Sequence, residues 1–141
     1  MPKTEAPDRE QLDEQEKHFA AFLQHMIRGE HAALAETLHP DVRWHLPPFS
    51  GQEPIVGVSE VLRFLRDGAA AIYQPDSLSL EPELLSVRAG KASCLATIRG
   101  RLRDGRPYEN RYAFFGRMAE GHITEVWEIL DSALLLKQLE A

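Results

Sequence analysis

The stretch YENRYAFFGRMAEGHITEVWEILD, residues 108–131, decides the fold of this chain. Apolar and polar residues alternate along it with the period of two that extended strands show, and Gly121 marks a turn between two such runs. In the first run the even-numbered residues from Tyr108 to Met118 share one face, which we expect to lie toward the core. In the second run both faces carry large apolar residues. The sequence therefore predicts an antiparallel hairpin that is covered on both sides.

Glu128 is the polar residue of this hairpin that most needs an explanation. It alternates with Val126 and Leu130, so the pattern predicts that it points into the space under the helices. A carboxyl group there loses hydration, which raises its pKa toward the range of a general acid or base. The alternative is a buried structural ion pair with Arg99 or Arg43, since such pairs also shift pKa values. The sequence leaves both interpretations open.

The opposite face of the hairpin predicts a partner subunit. Once helices cover the inner face, no residues of the chain remain to cover the outer one. Large apolar patches that stay exposed mark interaction surfaces. We therefore expect a homodimer formed through the outer sheet face, with Phe115, Trp127 and Ile129 in the interface.

The segment before the hairpin predicts three helices and one early strand. Apolar residues recur at helical spacing up to Gly29, which we expect to be a left-handed C-cap. A short second helix stops before Pro40, and a third is predicted to begin with Ser59 as its cap. Between them, residues 41–49 (DVRWHLPPF) alternate as a short strand that ends at two prolines.

From Ser77 onward the turn signals come at the spacing of strands. Pro82 predicts a bulge or an edge strand, and Asp104 with Gly105 predicts a hairpin turn. A run of helices followed by a run of strands predicts an α+β fold with the helices on one face of the sheet.

Size and composition bound the class of protein. With 141 residues and a formal net charge of −6, the chain predicts one globular domain that does not bind nucleic acid. We expect residues 1–8 to be a flexible N-terminus and residues 9–141 to form the single domain. Cys94 is the only cysteine, and no spacing typical of a zinc site occurs, so we expect neither metal nor cofactor. No run approaches the ~20 apolar residues that cross a bilayer, so we expect no membrane partner and a cytoplasmic location.

The order of these elements resembles a known family. Two helices, LHPDVRWHLPP, a helix beginning GVSEVLRFL, then DGRPYENRYAFF and GHITEVWEILD are similar to the SnoaL-like branch of the nuclear transport factor 2 superfamily. This superfamily includes ketosteroid isomerases, limonene-epoxide hydrolases, scytalone dehydratases and polyketide cyclases. The resemblance covers about residues 12–136. It implies a cone, in which about three N-terminal helices and a curved antiparallel sheet enclose an apolar pocket, and a dimer packed through the outer sheet face.

The resemblance also implies where a site would lie. Glu128 falls where the epoxide hydrolases place an inward carboxylate on the last strand. Their Arg-x-Asp pair has no match, because the segment TIRGRLRD offers Arg99 and Arg101 with no carboxylate between or beside them. The base position of the ketosteroid isomerases corresponds to Leu46. The resemblance therefore does not supply this chain with the complete set of catalytic residues of either the epoxide hydrolases or the ketosteroid isomerases.

His45 and Tyr112 are further candidates. Histidine titrates near neutral pH, and a bulge before the prolines would turn His45 into the pocket as a general base. Strict alternation instead places it outward with Arg43, as a structural histidine near the rim and bonded to Asp131, a residue we also expect to cap the final turn. Tyr112 could stabilise an enolate oxygen, or be a core tyrosine bonded to a backbone carbonyl. Asn110 could orient a carbonyl group.

The function expected from these residues is proton transfer without a cofactor. We expect a small-molecule enzyme, an isomerase, cyclase or dehydratase, that acts on an apolar carbonyl or polyketide-like substrate through Glu128, His45 and Tyr112. The alternatives are a non-catalytic module that binds a hydrophobic ligand or only dimerises, and an epoxide hydrolase. The expected substrate-binding residues, for several of which core packing is the alternative, are Trp44, Asn110, Phe114, Arg99, Phe22, Met26, Leu65 and Leu130.

Overall fold

A computed structural model describes residues 9–140 of the chain, with side chains from residue 14 onward. The predicted flexible segment 1–8 lies outside the described residues. The predicted α+β class, with N-terminal helices followed by a sheet, is confirmed. The elements are α1 (Arg9–Arg28), α2 (His31–Thr37), β1 (Leu38–His45), β2 (Ile55–Val56), α3 (Val58–Ile72), β3 (Ser79–Arg88), β4 (Lys91–Arg101), β5 (Pro107–Ala119), β6 (His122–Leu130) and α4 (Ser132–Leu139).

The helices pack their apolar stripes against one face of the sheet. In α1 the side chains of Phe19, Phe22 and Leu23 are fully buried, and Gly29 directly follows the helix with a φ of +68°, which fits the predicted left-handed cap. The predicted cap of α3 is wrong: Gly57 holds the N-cap position and no side chain caps the helix, because Ser59 already lies inside the first turn. Within residues 9–140, no helix is long and apolar enough to cross a membrane.

The sheet has six strands in the order β2, β1, β6, β5, β4, β3. It is mixed, because β1 pairs with β6 in parallel while all the other pairs are antiparallel. The short strand β2, which the sequence had not indicated, adds an outer edge beside β1. The register shifts at Pro82 in the other edge strand, β3, as the proline predicts. Helix α1 packs over β3 and α3 over β1, so the space between sheet and helices lies above the central strands.

One face assignment in β6 is wrong. Strict alternation along residues 122–130 predicts that Ile123 shares the outer face with Glu125 and Trp127, but Ile123 is fully buried on the inner side. The cause is a register irregularity against β5 between Ile123 and Glu125. Such a bulge adds a residue to one strand and exchanges the faces beyond it. From Val126 onward the inner residues therefore alternate with Trp127 and Ile129 on the outer face.

Candidate active site

Glu128 lies on the inner face of β6, directly opposite the buried Phe114 of β5. The residue as a whole is half-buried, and protein atoms surround its carboxyl group. Removal from water raises the pKa of Glu128 to about 7. Its carboxyl group can therefore give up or take a proton near neutral pH.

No basic side chain among residues 14–140 forms an ion pair with Glu128, so the structural ion pair that was the alternative to a functional role is absent. Arg99 lies on the opposite face, where its guanidinium is 2.9 Å from Glu81 and 2.6 Å from Glu109. Arg43 is exposed, and it alternates with the fully buried Trp44. Both arginines are thus separated from Glu128 by the sheet.

Among residues 14–140, the indole of Trp44 is the group whose hydrogen bonding affects the pKa of Glu128. Its Nε1 is buried and makes no hydrogen bond of ordinary geometry within the described residues. Its interaction with the Glu128 carboxyl group nevertheless lowers the pKa, against the larger effect of burial. A single N–H donor is weak compensation for a desolvated carboxylate, which explains why burial dominates.

Three tyrosine hydroxyl groups meet beside this carboxyl group. Tyr112 Oη lies 2.7 Å from Tyr108 Oη and 3.3 Å from Tyr73 Oη. Burial raises the pKa of Tyr112, and likewise that of Tyr73, so both hydroxyl groups stay protonated at neutral pH. The charge of Glu128 contributes to the raised pKa of Tyr73, which places the two groups within electrostatic reach. The cluster is a set of neutral hydrogen-bond donors next to a titratable carboxyl group.

Asn110 anchors the tyrosine cluster rather than facing open space. Only 1% of its surface is exposed. Its Nδ2 donates to Tyr108 Oη at 3.2 Å and to the backbone oxygen of Asp131 at 3.0 Å. Asp131 in turn caps α4 by accepting from the backbone N–H of Leu134 at 3.0 Å, as the sequence predicts. The start of α4 and the tyrosine hydroxyl groups are therefore connected through one amide.

His45 lies outside the cone of sheet and helices, so the structure does not bring it together with Glu128. Its ring stacks on Trp127 with centroids 5.0 Å apart, and its Nε2 lies 2.6 Å from Glu125 Oε2. The bulge that would have turned it inward does not form. Its partner is also Glu125 rather than the Asp131 that the sequence suggested. This histidine belongs to the outer sheet face.

A cavity of about 490 Å³ opens between α1, α3 and the sheet end. Met26, Leu65 and Tyr73 are among its lining residues, so two of the expected substrate-binding residues lie there. Glu128 does not line this cavity. Tyr73 joins the two regions, because it lines the cavity while its hydroxyl group reaches Tyr112. A ligand in the cavity can therefore contact Tyr73.

The remaining expected binding residues divide between core and surface. Phe22, Trp44 and Phe114 are 0%, 0% and 1% exposed, and all three pack in the hydrophobic core. Leu130 is partly buried opposite Tyr112. Arg99 lines a separate outer hollow of about 250 Å³. Within residues 14–140, no three His, Cys, Asp or Glu side chains come together in a way that could hold a metal ion.

Sequence reasoning missed Tyr73 and the role of Tyr108. Tyr73 is the C-cap residue of α3 and pairs in an isolated bridge with Leu102, so only the tertiary structure brings it to Tyr112. Its ring lies 4.9 Å from that of Tyr108. The spacing of Tyr108 and Tyr112 on one strand face was a usable signal, since four residues along a strand keep two side chains on the same side.

A family model described as a SnoaL-like domain matches residues 17–126 of this chain. The chain belongs to the SnoaL-like family. Glu128 lies two positions beyond the matched segment, whereas Tyr73, Tyr108 and Tyr112 lie inside it. With the six-stranded, mostly antiparallel sheet and the N-terminal helices, this membership confirms the expected cone fold of the nuclear transport factor 2-like superfamily.

Solved structures of SnoaL-like and related proteins share this fold at low identity. A provisionally assigned SnoaL-like polyketide cyclase from Jannaschia sp. CCS1 matches with a TM-score of 0.80 at 12% identity, covering 99% of each chain. A provisionally assigned ketosteroid isomerase from Kribbella flavida DSM 17836 matches with a TM-score of 0.67 at 20% identity, and the match covers 84% of this chain and 78% of that protein. TerC, co-crystallised with polyporic acid, matches with a TM-score of 0.73 at 15% identity, and the match covers 89% of this chain and 97% of TerC. No curated protein matches this sequence.

Proposed function

We propose that this SnoaL-like chain is a cofactor-independent enzyme that moves a proton on an apolar carbonyl or polyketide-like molecule, as an isomerase, cyclase or dehydratase. Glu128 is the proton-transfer group. The observation that carries the proposal is the combination of a raised pKa, about 7, with the lack of any ion-pair partner among the described residues. A general acid or base works best when its pKa lies near the working pH.

The tyrosine cluster supplies the second requirement of such chemistry. Removal of a proton next to a carbonyl group places negative charge on the oxygen, and neutral donors in a dry site stabilise that charge. Tyr73 is the donor that reaches the cavity, and Tyr112 and Tyr108 orient it. His45, initially expected to share the proton transfer, has no part in this proposal because it lies on the outer face.

The test follows hydrogen exchange next to a carbonyl group. A panel of apolar ketones, beginning with 2-tetralone, is incubated with the protein in D₂O, and deuterium uptake is measured by NMR. We expect Glu128→Gln to lower the protein-dependent rate by about 100-fold or more, and the wild-type rate to rise with pH through about 7 if the carboxylate acts as base.

The matched control is Glu125→Gln, the same substitution on the same strand but on the outer face. It should leave the exchange rate within about twofold. Equal losses in both variants, or no acceleration by the wild-type protein of any ketone in the panel, would contradict the proposal.

A non-catalytic, ligand-binding module is the second candidate, and one observation favours it: the lining of the cavity includes Tyr73 but omits Glu128. The volume of about 490 Å³ suits a small ligand under either function. The Tyr73→Phe variant separates them, because loss of a donor lowers exchange but leaves ligand affinity almost unchanged if Tyr73 acts on the reaction. The epoxide-hydrolase alternative gains no support, since both His45 and Arg99 lie outside.

We also propose that a second copy of the chain covers the outer sheet face. Phe115 is 43% exposed there, next to Trp127 and Ile129. Trp127 stacks on the ring of His45 and has the guanidinium of Arg117 5.8 Å from its ring centroid, so these neighbours hold its ring in place on this face. Sedimentation of Phe115→Glu tests this: a dimer that persists unchanged would exclude this face as the interface.

A further inference from the structure

We infer that the ligand of the 490 Å³ cavity carries an anionic group, such as a carboxylate, on an apolar body, and that the cavity mouth binds this group through Arg28 and Arg103. The inference deepens the proposed function, because it names the class of substrate for the same site. It rests on the charges around the mouth, which the proton-transfer chemistry at Glu128 does not use.

The cavity mouth has the opposite sign of charge to the protein as a whole. Three arginines, Arg28, Arg66 and Arg103, line it against the single acid Asp76. The chain has a net charge of −6, so this local excess of positive charge is not a reflection of composition. A cleft lined by one sign of charge attracts ligands of the other sign.

Two of these arginines are available to a ligand. Within residues 14–140, Arg28 and Arg103 make no ion pair, whereas Arg66 Nε lies 3.1 Å from Asp67. Arg28 and Arg103 belong to different elements, the end of α1 and the loop after β4, and the cavity lies between them. A guanidinium group binds a carboxylate through paired hydrogen bonds, which fits an anionic group held at the mouth.

The rest of the cavity lining offers an apolar surface, which includes Met26, Leu65 and Tyr73. The apolar body of the ligand would lie against these side chains while the two arginines hold its anionic group.

Arg28 has a competing explanation, since basic side chains favour the last turn of a helix. Arg103 does not share it, because it follows a strand. The test therefore treats the two arginines separately. A role limited to the helix end predicts that only Arg28 affects stability and that neither arginine affects ligand choice.

The experiment uses ligands that do not react, so its result is independent of catalysis. Calorimetry measures the affinity of naphthalene-1-acetate, its neutral amide and 1-naphthyl phosphate for the full chain. We expect the two anions to bind roughly fivefold tighter than the amide, and Arg28→Gln or Arg103→Gln each to reduce that preference by about twofold to fivefold. The amide should bind all variants equally. If naphthalene-1-acetate binds more tightly than 1-naphthyl phosphate, the anionic group of the ligand is assigned as a carboxylate. If 1-naphthyl phosphate binds more tightly, it is assigned as a phosphate.

Arg63→Gln is the matched control, because it removes the same charge from α3 at an exposed position outside the cavity lining. Ala70→Trp, at an exposed lining position, should weaken all three ligands, whereas Ala71→Trp should not. The inference is overturned if the amide binds as tightly as the anions, if Arg63→Gln matches the other two variants, or if Ala70→Trp has no effect. Loss of exchange activity in Glu128→Gln with the anion preference intact concerns the proposed function alone.

Discussion

Replacing Glu128 by Gln should stabilise the protein, and increasingly so as the pH rises. In the unfolded chain the carboxyl group loses its proton near pH 4.5, whereas in the folded chain it does so near pH 7. Between these values the unfolded state releases a proton that the folded state keeps, so stability falls as pH rises through this window. At about 1.4 kcal/mol for each pH unit, the full difference is about 3 kcal/mol. Glutamine has nearly the same shape and no charge to desolvate.

The magnitude is measurable by urea unfolding of wild type and Glu128→Gln at two pH values. The linkage relation gives a penalty of about 1 kcal/mol for the wild-type carboxyl group at pH 5 and about 3 kcal/mol at pH 8.5. The stability difference between the two proteins should therefore grow by about 2 to 2.5 kcal/mol across this range, while any constant effect of the amide cancels. Glu53→Gln, in an exposed loop, is the control and should follow the wild-type profile. A difference that stays constant with pH, or that falls as pH rises, would refute the assignment of Glu128 as a desolvated, unpaired acid.

Four further substitutions test the surroundings of Glu128, two turns and His18. Trp44→Phe removes the N–H that lowers the pKa of Glu128, so the pH midpoint of the stability profile should move upward, measured by urea unfolding. Gly90→Ala should lower the free energy of unfolding by about 3 kcal/mol, because φ is +74° and the new Cβ would lie 2.6 Å from a backbone oxygen. Gly121→Ala has a similar φ of +78° but open space around the new Cβ, so it should lower the free energy of unfolding by only about 1 kcal/mol. Thermal unfolding measures both. Burial and then a neighbouring histidine hold the pKa of His18 below 6.5, so stability should fall as pH drops through 6.5, and less so in His18→Asn.

The fold followed from the sequence wherever a local pattern had one geometric meaning. The alternation in residues 108–119 placed every inner residue of β5 correctly, because a strand has only two faces and one of them was apolar. The errors came where the backbone departs from regular geometry. The bulge after Ile123 exchanges the faces of β6, and the two-residue strand β2 exists only because β1 offers it a partner. The parallel pairing of β1 with β6 is likewise a long-range fact that no local pattern contains.

The candidate site was predictable only in part, for a related reason. Glu128 could be placed because it lies beyond the bulge in a regular stretch of β6. That Glu128 has no ion-pair partner among the described residues could not be predicted, since the positions of Arg99 and its two acidic partners depend on the register of three strands. Tyr73 could not be connected with Tyr112, because 39 residues separate them along the chain. The aromatic and cationic neighbours of His45 on the outer face are similarly tertiary.

The two acids of β6 give the strongest argument for chemistry at the inner face. Glu125 is outward and lies 2.6 Å from His45 and 3.5 Å from Arg117, so its charge is compensated. Glu128 points inward and has no cationic partner among the described residues, and burial disfavours its ionised form. A cost of about 3 kcal/mol is a large share of the roughly 5–15 kcal/mol that stabilises a domain. A neutral amide of the same shape would avoid it. Stability therefore does not account for a carboxyl group at this position, whereas the proposed proton transfer near neutral pH would.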